Sequence, residues 1–138
     1  HMILGKPESI VSKSVFTDNN IDAKTTMIFK FNNGIIANLS CSMFDSQPNR
    51  AVISGTKGYI ELDPTFYAPT SMTLSINNGD LIHYKNEYKG HGLREQAIEM
   101  EHCVKNKLIE SSKMPHCDTL EVINIMDEVR DKIGLTFK

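Results

Sequence analysis

Gly90-His91-Gly92-Leu93-Arg94-Glu95-Gln96-Ala97-Ile98-Glu99-Met100-Glu101-His102-Cys103-Val104 divides the chain into two kinds of pattern. Upstream, apolar and polar residues alternate as they do in half-buried β-strands. From Leu93 onward the apolar residues recur at helical spacing. Leu93, Ala97, Met100, Val104 and Leu108 form one predicted stripe, and such a stripe needs a sheet to lie on. The glycines at 90 and 92 allow the backbone to turn sharply from strand into helix. The order of strands first and helices after predicts an α+β fold. Its layers are an open, mostly antiparallel sheet of six to eight strands and two or more helices on one face.

Working back towards the N-terminus, Asn77-Asn78-Gly79-Asp80 and Asn32-Asn33-Gly34 are hairpin signals, because Asn and Gly tolerate positive φ. Thr56-Lys57-Gly58 is a third tight turn. Between them lie seven predicted strands, near residues 8–16, 25–31, 35–44, 50–55, 59–62, 71–76 and 81–84. Tight turns make consecutive strands antiparallel. In the first, Ile10, Ser12, Ser14 and Phe16 share a side; in the second, Met27, Phe29 and Phe31 do. Cys41 lies in the alternation Leu39, Cys41, Met43 and is expected to be small and buried. Phe66-Tyr67-Ala68-Pro69 sits in a proline-bounded loop.

Working forward, the first helix is predicted from Leu93 to about Asn106, and 110–115 is a linker. Asp118, with Glu121 three residues later, predicts an N-cap and capping box for a second helix. Val122, Ile125, Met126, Val129 and Ile133 form its apolar face, and Gly134 stands where a C-terminal glycine belongs. Leu135-Thr136-Phe137 is expected to add a last extended segment.

The 138 residues suit one domain with a self-supporting core. At 40% hydrophobic and 23% charged the composition is that of a globular protein rather than a disordered one. A net charge of −2 without basic blocks argues against a nucleic-acid footprint. No apolar run approaches the roughly 20 residues of a membrane span. Three cysteines, an odd number, suit reduced thiols and a cytoplasmic location better than a disulfide framework. His1-Met2 reads as a cloning scar, leaving 3–138 as a single domain.

The motifs that carry chemistry are incomplete. His102-Cys103 and His116-Cys117 have zinc-ligand types, but neighbouring helical residues diverge by about 100° and seldom share one ion. Gly55-Thr56-Lys57-Gly58 lacks the phosphate-loop pattern and its following helix. No nucleophile–base pair is legible. The aromatic residues beside glycine and proline, Phe66, Tyr67 and Tyr88, either rim a pocket or pack at sheet edges.

Taken in order, Gly5-Lys6-Pro7, Phe31-Asn32-Asn33-Gly34, Ile53-Ser54-Gly55-Thr56-Lys57-Gly58-Tyr59-Ile60-Glu61-Leu62, Gly90-His91-Gly92-Leu93 with Glu99, Glu110-Ser111, Met114-Pro115 and Met126-Asp127-Glu128-Val129-Arg130 with Ile133-Gly134 form a series. It resembles the C-terminal half of the Gfo/Idh/MocA oxidoreductases, most of all their dihydrodiol dehydrogenase-like branch. The resemblance covers nearly the whole chain.

The resemblance implies a substrate-binding and oligomerisation domain of an NAD(P)-dependent enzyme acting on a sugar, inositol or diol hydroxyl. In the family, an N-terminal Rossmann domain binds NAD or NADP, and a lysine of that domain, in a Glu-Lys-Pro motif, serves catalysis. Neither GxGxxG nor Glu-Lys-Pro occurs here, and Gly5-Lys6-Pro7 opens a strand instead. The implication is a chain without catalytic, cofactor-binding or metal residues of its own, inactive alone, and partnered by its own Rossmann domain. The resemblance further implies Tyr88 and His91 as substrate-pocket candidates, followed by Phe66 and Tyr67. A homodimer through the open sheet face is expected, since both faces of the long strands carry apolar residues. No nucleic-acid or membrane partner is expected. The other reading is a free-standing, non-catalytic binding or scaffolding module of the same fold.

Overall fold

The computed structural model describes residues 1–68, 70–90 and 92–136. It contains the seven expected strands and two α-helices: β1 Ser9–Phe16, β2 Asp22–Lys30, β3 Ile36–Ser42, β4 Ala51–Gly55, β5 Gly58–Leu62, β6 Met72–Ile76, β7 Leu81–Tyr84, α1 Leu93–Lys105 and α2 His116–Ile133. All strand pairs are antiparallel. The strands form two ladders, β1-β2-β3 and β4-β5-β6-β7, each in sequence order. The architecture is therefore α+β with open sheets. The chain divides into two compact units, residues 1–46 with 112–138 and residues 47–111. Among the described residues no helix is long and apolar enough to cross a membrane.

In the first unit, register puts Ile10 opposite Phe29, Ser12 opposite Met27 and Ser14 opposite Thr25. Phe29, Met27 and Thr25 in turn face Ala37, Leu39 and Cys41. These residues share the inner face, on which α2 lies. Ile10, Ile125 and Val129 are its buried core, with Met27 and Phe29 packed against them. Phe31 is also buried, its ring edge-on to Phe29 at 6.5 Å. The hairpin between β2 and β3 works as the Asn-Asn-Gly signal requires. Asn33 and Gly34 take φ of 64° and 76°, and the Phe31 N–H donates to the Ile35 carbonyl at 2.8 Å.

The capping of α2 differs from expectation. Its N-cap is Pro115, in extended conformation, and no side chain caps it. The ring fixes the φ of Pro115 and lets its carbonyl accept from the Asp118 and Thr119 N–H groups. Asp118 thus lies inside the first turn, where its charge opposes the helix dipole instead of capping. Glu121 turns to His1 at 2.6 Å. The other end is as expected: Gly134 is left-handed, and the Leu135 N–H reaches back to the Arg130 carbonyl at 3.0 Å. Phe137, expected to continue as an extended segment, lies outside the described residues.

The second unit holds β4 to β7 and α1. β4 and β5 join through a two-residue turn, Gly55 pairing with Gly58. At Gly58 the φ is 151° and a Cβ would stand 2.0 Å from the Ser75 carbonyl oxygen, so only glycine lets β5 and β6 approach this closely. Ile53, Ile60, Leu74 and Ile82 lie across this sheet on one face.

The stripe expected to bury α1 is exposed. Leu93 is 70%, Met100 65% and Val104 68% accessible, and Ala97 and Leu108 are exposed too. The sheltered side is the row Glu95, Glu99 and Cys103, with Cys103 buried and the two glutamates half-buried. The physical reason is local: these carboxylates find partners on their own unit, which lowers the cost of covering them. Cys41 is likewise exposed instead of buried. It faces inward, but it borders an open groove of about 510 Å³ beside α2, lined by Met27, Phe29, Leu39 and Cys41 from the sheet and by Val122 and Met126 from the helix.

Candidate functional site

The segment between β7 and α1 carries Tyr88, a phenol whose proton affinity its surroundings alter. Its conformation starts with a side-chain anchor. The Asn86 N–H donates to the Ser71 hydroxyl at 2.8 Å, and the Asn86 side-chain oxygen accepts from the Tyr88 N–H at 2.8 Å. This second bond is an Asx turn, which Asn forms readily. Gly90 and Gly92 follow with φ of 88° and 87°, and Gly92 is the N-cap of α1. The left-handed N-cap places Glu95 in the first helical turn, on the side that faces Tyr88.

Tyr88 holds its proton above the ordinary phenol value of 10.0. Partial burial is the largest cause, followed by the charge of Glu95 and its acceptance of the phenol hydrogen, while Arg94 acts in the opposite direction. At neutral pH Tyr88 is therefore a neutral hydrogen-bonding group rather than a base. Its side chain remains 44% accessible. The Glu95 Oε1 lies 3.5 Å from the Arg94 Nε. The Glu95 Oε2 is shielded and accepts no hydrogen bond.

One turn further along α1, Glu99 Oε1 accepts from the Ser111 hydroxyl at 2.6 Å and from the buried Cys103 thiol at 4.0 Å. Ser111 thereby ties the segment after the helix to the helix itself. The chain reaches it through Lys107, at φ 54°, and through a Leu108 N–H bond to the Cys103 carbonyl at 2.9 Å.

Of the four pocket candidates, the structure pairs Phe66 with Tyr67, edge-to-face at 5.6 Å, with Tyr67 72% accessible. Tyr88 is matched instead with Glu95 and Arg94. His91 lies outside the described residues. Glu95 and Ser111 are additions that the sequence reading missed as members of this cluster. An acidic residue in the first turn after a glycine-rich entry is the signal that marks Glu95. Among the described residues no three His, Cys, Asp or Glu side chains are grouped to hold a metal ion.

A family model for the GFO/IDH/MocA C-terminal domain matches residues 1–61. Over those residues the chain is similar to that domain. The ordered motif series points to the same family as this match and the curated relatives. Curated relatives extend the match. The chain is 31% identical to the trans-1,2-dihydrobenzene-1,2-diol dehydrogenase of Danio rerio, over 96% of this chain and 41% of that protein. It is also 31% identical to the enzyme of the same name from Xenopus tropicalis, over 96% of this chain and 42% of that one. The chain therefore spans about two fifths of the curated relatives it matches.

Two solved structures share the fold. An aldose-aldose oxidoreductase from Caulobacter crescentus aligns at TM-score 0.71 and 17% identity, over 94% of this chain and 39% of its own. The UDP-N-acetylglucosamine 3-dehydrogenase GnnA from Acidithiobacillus ferrooxidans aligns at 0.75 and 15%, over 93% of this chain and 41% of its own.

Proposed function

We propose that this chain is the substrate-side and oligomerisation portion of an NAD(P)-dependent oxidoreductase that acts on a sugar, inositol or diol hydroxyl. The observation that carries this reading is the alignment of 96% of the chain with two fifths of a diol dehydrogenase. In this reading NAD or NADP and the proton-transferring residues belong to a Rossmann domain that partners this one. Hydride transfer is the cofactor's chemistry; the present residues shape and close the substrate side. Tyr88 and His91 rim the pocket, with Phe66 and Tyr67 as further candidates. The exposure of Tyr88 and the neutrality of its phenol support its part, since such a group can exchange hydrogen bonds with a ligand hydroxyl. Three unpaired thiols suit a cytoplasmic location.

The test is catalytic. Pure chain incubated with NAD(H) or NADP(H) and a panel of sugars, inositols and diols is expected to show no hydride transfer. The same panel is expected to show turnover when the chain is joined to a Rossmann domain encoded upstream of Ile3. Turnover by the chain alone overturns the reading. A gene that starts near Ile3 with no upstream GxGxxG unit favours a free-standing binding or scaffolding module.

The oligomerisation part of the proposal rests on the outer face of β1-β2-β3. Val11 and Ile28 are neighbours across that face, and Ile36 lies on it beyond them; all three are exposed. Exposed contiguous apolar surface commonly marks an interface. A two-fold dimer through this face is expected to sediment at twice the chain mass at micromolar concentration, and Ile28→Glu to sediment at one chain mass. A wild-type species of one chain mass, unchanged on tenfold concentration, rules the dimer out. Thr26, Lys30, Asn38 and Ser40 share that face and would account for such a monomer by keeping it wet.

A further inference from the structure

We draw no further inference here: the strongest candidate, the apolar groove between the inner face of β2-β3 and α2, is an unpartnered face, and nothing in the structure shows what covers it.

Discussion

The Ser111 hydroxyl donates a 2.6 Å hydrogen bond to Glu99 Oε1 across twelve residues of sequence, joining the start of the 110–115 linker to the middle of α1. A bond to a charged acceptor at a part-buried position contributes more than a neutral surface bond. Ser111→Ala is expected to destabilise the unit that holds both residues by about 1.5–3 kcal/mol. In denaturant titration the midpoint should fall while the slope stays constant. An unchanged midpoint would show that the bond contributes nothing net.

Tyr88 supplies a spectroscopic prediction. Its phenol ionises above 10.0 because of partial burial first and the Glu95 charge second. Glu95→Gln removes only the second cause, so ultraviolet titration should show Tyr88 ionising earlier than in the wild type but still late. The folded form holds the proton more tightly than the unfolded chain. The resulting stabilisation is complete below 10.0 and is lost as pH rises through the folded value. Identical titration curves for the two proteins would remove Glu95 as a cause.

At the end of β3, Asp45 has the opposite sign. The Lys24 ammonium, at 2.7 Å, and the Ser42 hydroxyl, at 3.0 Å, hold its carboxyl below the ordinary 3.8. Stabilisation from this group is present above 3.8 and is lost as pH falls through the folded value. Lys24→Ala should raise the Asp45 titration midpoint, read from its side-chain carboxyl carbon resonance. The Ser42 bond should keep part of the shift. A midpoint insensitive to Lys24→Ala would contradict the pairing.

Gly58→Ala tests the close approach of β5 to β6. The added methyl would meet the Ser75 carbonyl oxygen at 2.0 Å, so the backbone must move at a ladder pair. Strain and lost pairing together predict a loss of about 1–3 kcal/mol. Amide exchange should rise first at Tyr59 and Ser75, the next pair along the ladder. A variant as stable as the wild type would mean that the strands separate here at little cost.

What was legible in the sequence was local. Asn32-Asn33-Gly34 and Asn77-Asn78-Gly79 named two hairpins because positive φ is a property of those residues themselves. The alternation in 8–16 and 25–31 grouped Ile10 with Ser12 and Ser14, and Met27 with Phe29 and Phe31, because the strand period is two; which face is covered came from the structure. Helical periodicity alone could not choose which side of α1 is sheltered. Leu93, Met100 and Val104 repeat as regularly as Glu95, Glu99 and Cys103, and the choice falls to partners distant in sequence, such as Ser111. The same limit applies to Cys41, whose direction followed from alternation but whose cover did not. In the candidate site, Tyr88 stood out as an aromatic residue beside glycines, whereas its match with Glu95 depends on the angle at which Gly92 starts the helix.

The first unit is assembled from both ends of the chain, residues 1–46 and 112–138. This has a consequence during synthesis. On the ribosome, β1, β2 and β3 emerge and can pair while α2 is still about 70 residues from translation, an interval of roughly 4 to 15 s at typical elongation rates. Hairpins close in microseconds, so the nascent sheet waits with Ile10, Met27 and Phe29 uncovered. Such a surface is what chaperones bind and what aggregates grow from. Yield in the cell should therefore depend on how fast the intervening 47–111 segment is translated, even though that segment supplies none of the residues in the Ile10–Ile125–Val129 core.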